Sequence, residues 1–127
     1  MNIIIDNRSA QDLPLDRIEE LARYVLCAEG MPDTTELSVS FVDLEEITQL
    51  NSLYRDRNEP TDVLSFEMDD PGSEDTEPLI IGDVVINPDI ARKHALLEEV
   101  SFEEELWILL IHGILHLVGL DHEDEDD

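Results

Sequence analysis

Three of the chain's four histidines fall within the segment HGILHLVGLDH, from His112 to His122. His112 and His116 are four residues apart, so on a helix their imidazoles project from one face, one turn above the other. Gly119 follows where that helix must stop, because glycine takes a left-handed backbone without steric cost. The chain can then turn back and bring His122 toward the pair. A histidine pair on an apolar helix is often mere packing, but burying three imidazoles without a partner would cost free energy. Three neutral imidazoles with an open fourth position are an arrangement for catalytic zinc, whereas structural zinc is usually closed by four ligands and rich in cysteine. Only Cys27 is present, on a distant predicted helix. One Zn2+ per chain is therefore expected, able to activate water near neutral pH and to polarise a phosphoryl or carbonyl oxygen.

The elements that must position these residues are legible from periodicity and capping. Asn2 to Asp6 reads as an isoleucine-rich strand, and Leu15, Ile18, Leu21, Ala22, Val25 and Leu26 follow helical spacing up to Gly30. Glu36 to Val42 alternates as a second strand. Asp43 with Glu46 forms a capping box opening a helix expected to bury Leu44, Ile47, Leu50 and Leu53. Asp62 to Phe66 and Leu79 to Asn87 read as the strands of a hairpin with a long Pro, Gly and acid-rich loop. Asn87 with Pro88, and Ser101 with Glu104, open two further helices, the second running to about Val118. The order β-α-β-α-β-β-α-α predicts an α+β fold: a single domain over 1–127 with a mixed sheet of about four strands, its metal site on the C-terminal helix and following turn.

Composition narrows the function classes. The chain has 127 residues, 42% hydrophobic, enough for one core. Lys and Arg total 7 against 33 Asp and Glu, a formal charge of −26, which excludes a globally basic nucleic-acid binder. So acidic a surface suits a salt-rich cytoplasm, where counterions screen self-repulsion. The N-terminus lacks the features of a signal peptide, and the apolar run from Leu106 to Leu120 is too short for a membrane span. A cytoplasmic location without a membrane partner is expected. Cys27, within a helical apolar pattern, is read as a small hydrophobe, and His94, on a helix outside the histidine segment, as non-ligating.

The spacing His, His at +4, Gly at +7, His at +10 equals that of the metzincin motif H-E-x-x-H-x-x-G-x-x-H. There the Glu after the first His is the general base; here that position is Gly113, which has no side chain to take a proton. A closer resemblance covers more of the chain. HGILHLVGLDH resembles H-G-x-L-H-L-x-G-x-D-H, the signature of the YbeY family of bacterial metal-dependent endoribonucleases and rRNA maturation factors. NSLYRDRNEPTDVLSF (Asn51 to Phe66) and IGDVVIN (Ile81 to Asn87) resemble two further blocks of that family. The resemblance implies an α+β fold, metal ligands at His112, His116 and His122, and an essential arginine at Arg55. It also implies single-strand-specific cleavage of RNA in 16S rRNA 3′-end maturation and late small-subunit quality control, with the small ribosomal subunit and its assembly proteins as partners and no DNA substrate.

Arg55 is a candidate on physical grounds too: a helix-end arginine next to a strand can give a phosphodiester two parallel donors, or can simply cap the helix. For Asp62 a turn-closing role through backbone hydrogen bonds is expected, and for Asp83 a place on an edge strand or behind a ligand histidine. Asp121 is a candidate for orienting an imidazole. The sequence departs from the family pattern in stopping at HEDEDD, from His122 on, where a more open site is expected, and in its charge, which is expected to repel RNA at long range. Two other functions remain open: a peptidase with metzincin-like ligation, and a non-catalytic ribosome-assembly factor whose zinc is structural.

Overall fold

The structure is a computed structural model, and it describes residues 1–71 and 78–119. Its elements are β1 (Asn2–Asn7), α1 (Leu15–Ala28), β2 (Thr35–Phe41), α2 (Leu44–Arg55), β3 (Val63–Glu67), β4 (Leu79–Ile86), α3 (Pro88–Glu98) and α4 (Phe102–Leu117). The strands form one sheet in the order β1-β2-β4-β3. β1, β2 and β4 run parallel, and β3 pairs antiparallel with β4. This is the expected α+β domain with a mixed four-stranded sheet.

Local chemistry starts each of the last three helices. The Asp43 carboxylate accepts from the Glu46 N–H at 2.8 Å, the Asn87 side chain from Ile90 at 2.8 Å, and the Ser101 hydroxyl from Glu104 at 3.0 Å. Each satisfies a backbone donor that the first helical turn leaves without a partner. Pro88 fits at the start of α3, where no N–H is needed.

Strand alternation then divides the core. Val84 and Ile86 face the larger cluster with Ile18, Ala22 and Leu26 of α1, Ala91 of α3 and Leu106, Leu110, Ile114 and Leu117 of α4. Val85, on the other face, packs with Leu64, Val42 and Ile47 and with the partly buried Leu50 and Phe66. Thus α2 covers the face opposite α4. Of its leucines, however, Leu44 and Leu53 are exposed, and the buried residues are Ile47 and Asn51. Leu53 lies about 120° around the helix from Ile47, outside the stripe that meets the sheet. Asn51 instead uses its burial to hold the next connection, its side-chain N–H donating to Glu59 O at 2.8 Å.

Two more expectations are corrected. Cys27 is exposed, its Sγ 3.9 Å from the Met1 Sδ, because the buried stripe of α1 passes through Val25 and Leu26. Asp83 is not on an edge: β4 lies between β2 and β3, and Asp83 lines a groove with Ile4, Ser38, Ser40 and Val85 on the sheet face away from α4.

Candidate metal centre

α4 crosses the sheet where β3 and β4 pair, and Gly113 sets how closely. A Cβ there would lie 2.6 Å from Val84 Cγ1 and 3.3 Å from Ser65 Oγ, so only glycine permits this approach. Ser65 and Val84 are register partners across β3 and β4, and the Ser65 hydroxyl donates to Gly113 O at 3.0 Å. The same contact orients the helix. With position 113 turned into the sheet, His112 is exposed and His116 keeps 19% of its side-chain surface.

The two histidines open on a cleft of about 470 Å³, lined also by Arg55, Val63, Leu64, Ser65 and Glu67. Arg55 is the last residue of α2, and Asp56 ends that helix in the left-handed conformation (φ 56°). Its Nη2 donates to Ser65 O at 2.6 Å and its guanidinium stands 5.4 Å from the centre of the Phe66 ring. Nη1 also meets Tyr54 O at 3.3 Å, so part of the capping role is present. The donor to Ser65 nevertheless carries the guanidinium across to β3 and into the histidine cleft. Arg55, His112 and His116 are thereby brought together from positions far apart in sequence. His122 and Asp121 lie outside the described residues.

Glu67 also lines this cleft, and the sequence reading missed it. As the last residue of β3 it places Oε1 4.0 Å from His116 Nε2. No local pattern marks it, since its relation to His116 depends on how α4 lies over β3. The donor set suits zinc: two imidazoles at helical spacing, with a carboxylate oxygen beside one of them, on a wall open to a cleft.

A second group of potential ligands stands outside this lining. Asp62, His94 and Glu105 each offer one donor atom, all within 4.8 Å of one another. Asp62 was expected to close a turn with its carboxylate, but Oδ2 faces His94 Nδ1 at 3.4 Å, while its backbone carbonyl accepts from Asn87 N–H at 2.9 Å and extends the pairing of β3 with β4.

Fold and site together define a small α+β domain with a histidine-based candidate metal centre and an arginine in one open cleft. Comparison with known proteins makes the class specific. Residues 4–127 match the family model described as endoribonuclease YbeY. The chain is 39% identical to endoribonuclease YbeY of Oceanobacillus iheyensis, over 96% of this chain and 83% of that protein. It is 42% identical to endoribonuclease YbeY of Acidothermus cellulolyticus, over 99% and 82%. The solution structure of TM1509 from Thermotoga maritima superposes with a TM-score of 0.65 at 31% identity, covering 92% of this chain and 72% of that one. The chain belongs to the endoribonuclease YbeY family, a family of RNA-cleaving hydrolases. Among the described residues no helix is long and apolar enough to cross a membrane.

Proposed function

We propose that this protein is a zinc-dependent, single-strand-specific endoribonuclease of the cytoplasm, acting in 16S rRNA 3′-end maturation and late small-subunit quality control with ribosomal and assembly proteins as partners. The observation that carries the reading is that Arg55, from the end of α2, lines the same cleft as His112 and His116 of α4. In this reading His112 and His116, with His122, hold one Zn2+. When bound, zinc supplies a Lewis acid that draws electron density from a phosphoryl oxygen.

The protein's own groups do the rest. Arg55 directs its N–H donors at phosphate oxygens and stabilises the negative charge that builds there during displacement. The Ser65 carbonyl and the Phe66 ring hold the guanidinium in place, so little reorganisation is needed as that charge grows. Glu67, the carboxylate of the cleft, is placed to accept a proton at Oε1 or to orient the His116 ring. Val63 and Leu64 add apolar wall.

The peptidase reading loses support from α4 itself. The position that would carry a metzincin general base is packed against Val84 and Ser65, with no room for a side chain. Cleavage of a single-stranded RNA by the zinc-loaded protein, lost in His112→Ala and Arg55→Ala, tests the proposal. A 2′,3′-cyclic phosphate product would assign the nucleophile to the RNA 2′-hydroxyl, and a 3′-hydroxyl or linear phosphate to water. If folded, zinc-retaining Arg55→Ala supports rRNA maturation as well as the wild type, the protein is an assembly factor and not a nuclease.

A further inference from the structure

Glu105, in the first turn of α4, is 4% exposed, and its Oε1 is buried without a hydrogen-bond partner. Native structures rarely leave such an atom unpaired, because it has given up water for nothing; buried carboxylates are normally hydrogen-bonded, paired or bound to a metal. Its surroundings make the omission more costly. Burial first, and a hydrogen bond shared with the neighbouring Glu98 carboxyl second, hold the Glu105 carboxyl above the usual carboxylate range, with Asp62 adding to the rise and His94 opposing it.

Glu105 also belongs to a donor set. His94 from α3 and Asp62 from the segment before β3 already stand 3.4 Å apart. That is the spacing of two donors sharing one tetrahedral ion at bonds of about 2.0–2.2 Å. The third donor, from Glu105, lies within 4.8 Å of both, so a small side-chain closure completes the set. None of the three lines the Arg55 and histidine cleft.

We propose that Asp62, His94 and Glu105 bind a second divalent cation, of the transition-metal class that accepts mixed imidazole and carboxylate donors, such as Zn2+ or Mn2+. The ion supplies a partner for the buried Oε1 and ties the segment before β3, the middle of α3 and the first turn of α4 to one point. Its role is structural. It fixes the helix that carries His112 and His116, and it offsets the mutual repulsion of Asp62, Glu98 and Glu105.

The test uses the full chain carrying His112→Ala and His116→Ala, stripped with a chelator and kept in molar salt to suppress loose binding by the acidic surface. Titration with Zn2+ or Mn2+ should give one ion per chain and raise the melting temperature. Adding His94→Gln, or separately the near-isosteric Glu105→Gln, should weaken uptake by more than about tenfold, since losing even an outer partner of a metal ligand costs that much, and should abolish the rise. His94 is partly exposed, so its variant gives an answer even if Glu105→Gln fails to fold. The proposal is overturned if the double histidine variant takes up no ion, or if its uptake and melting temperature are indifferent to both added substitutions.

Discussion

Arg55 stands between two claims on its guanidinium. The contacts to Tyr54 O and Ser65 O hold it at the end of α2, and the cleft it faces is where a phosphate would compete for the remaining donors. Replacing it by alanine should lower kcat by about 10²–10³-fold, the range seen when one preorganised donor to developing charge is removed. Lysine should recover only part, because a point charge cannot reproduce two parallel donors. Zinc content and far-UV circular dichroism should be unchanged in both; a loss of zinc or fold in Arg55→Ala would assign the residue to structure. Arg55 was legible in the sequence as a scarce cation within a family-like block. Glu67 was not, because its nearness to His116 exists only once β3 and α4 are packed. Asp62 was misjudged for a similar reason: its carboxylate meets a histidine 32 positions later, on a helix whose placement no local pattern gives.

At the scale of elements, Gly113 determines how α4 meets the sheet. Gly113→Ala should destabilise the fold by roughly 1–3 kcal/mol, the usual cost of forcing a methyl into a close-packed contact. Because the new group presses on Val84 and Ser65, the cleft should also lose activity beyond what stability alone explains. Gly113→Glu should give no peptidase. Denaturant midpoints together with RNase assays check both, and a fully stable Gly113→Ala would contradict the packing account. At the end of α3, Glu99 sits exposed in the left-handed conformation at φ 59°. Glu99→Gly should stabilise the protein by about 0.5–1 kcal/mol, since glycine takes that backbone without a Cβ penalty. It should leave cleavage unchanged, as read by urea midpoint and kcat; a lower midpoint would refute it. The helix starts at Asp43, Asn87 and Ser101 were legible because each cap is made within four residues of chain. The interior place of β4 was not, because it follows from a crossover that puts the last strand between β2 and β3. That is why Asp83 was expected at an edge.

Over the whole molecule the charge of −26 governs both stability and substrate approach. Of the seven cations, Arg8, Arg17, Arg23 and Arg57 pair with carboxylates on the surface, while Arg55 is directed at carbonyl oxygens in the cleft. Exposed pairs of this kind contribute little, at most about 1 kcal/mol each, and do not offset the excess of acid. Raising salt from low to molar concentration should therefore raise the melting temperature by screening self-repulsion. A flat or falling melting temperature would contradict this. The same screening lets RNA approach a surface that otherwise repels it, so capture of RNA depends on the cleft more than on long-range attraction.

The account turns on the cleft being a metal-dependent RNA-cleaving centre, and one assay addresses it directly: cleavage of a single-stranded RNA by chelator-stripped protein before and after stoichiometric Zn2+, with wild type and His116→Ala side by side. The expected result is cleavage by the zinc-restored wild type alone, with the stripped wild type and both forms of His116→Ala inactive. Equal cleavage by stripped and restored wild type, or by zinc-treated His116→Ala, would contradict it.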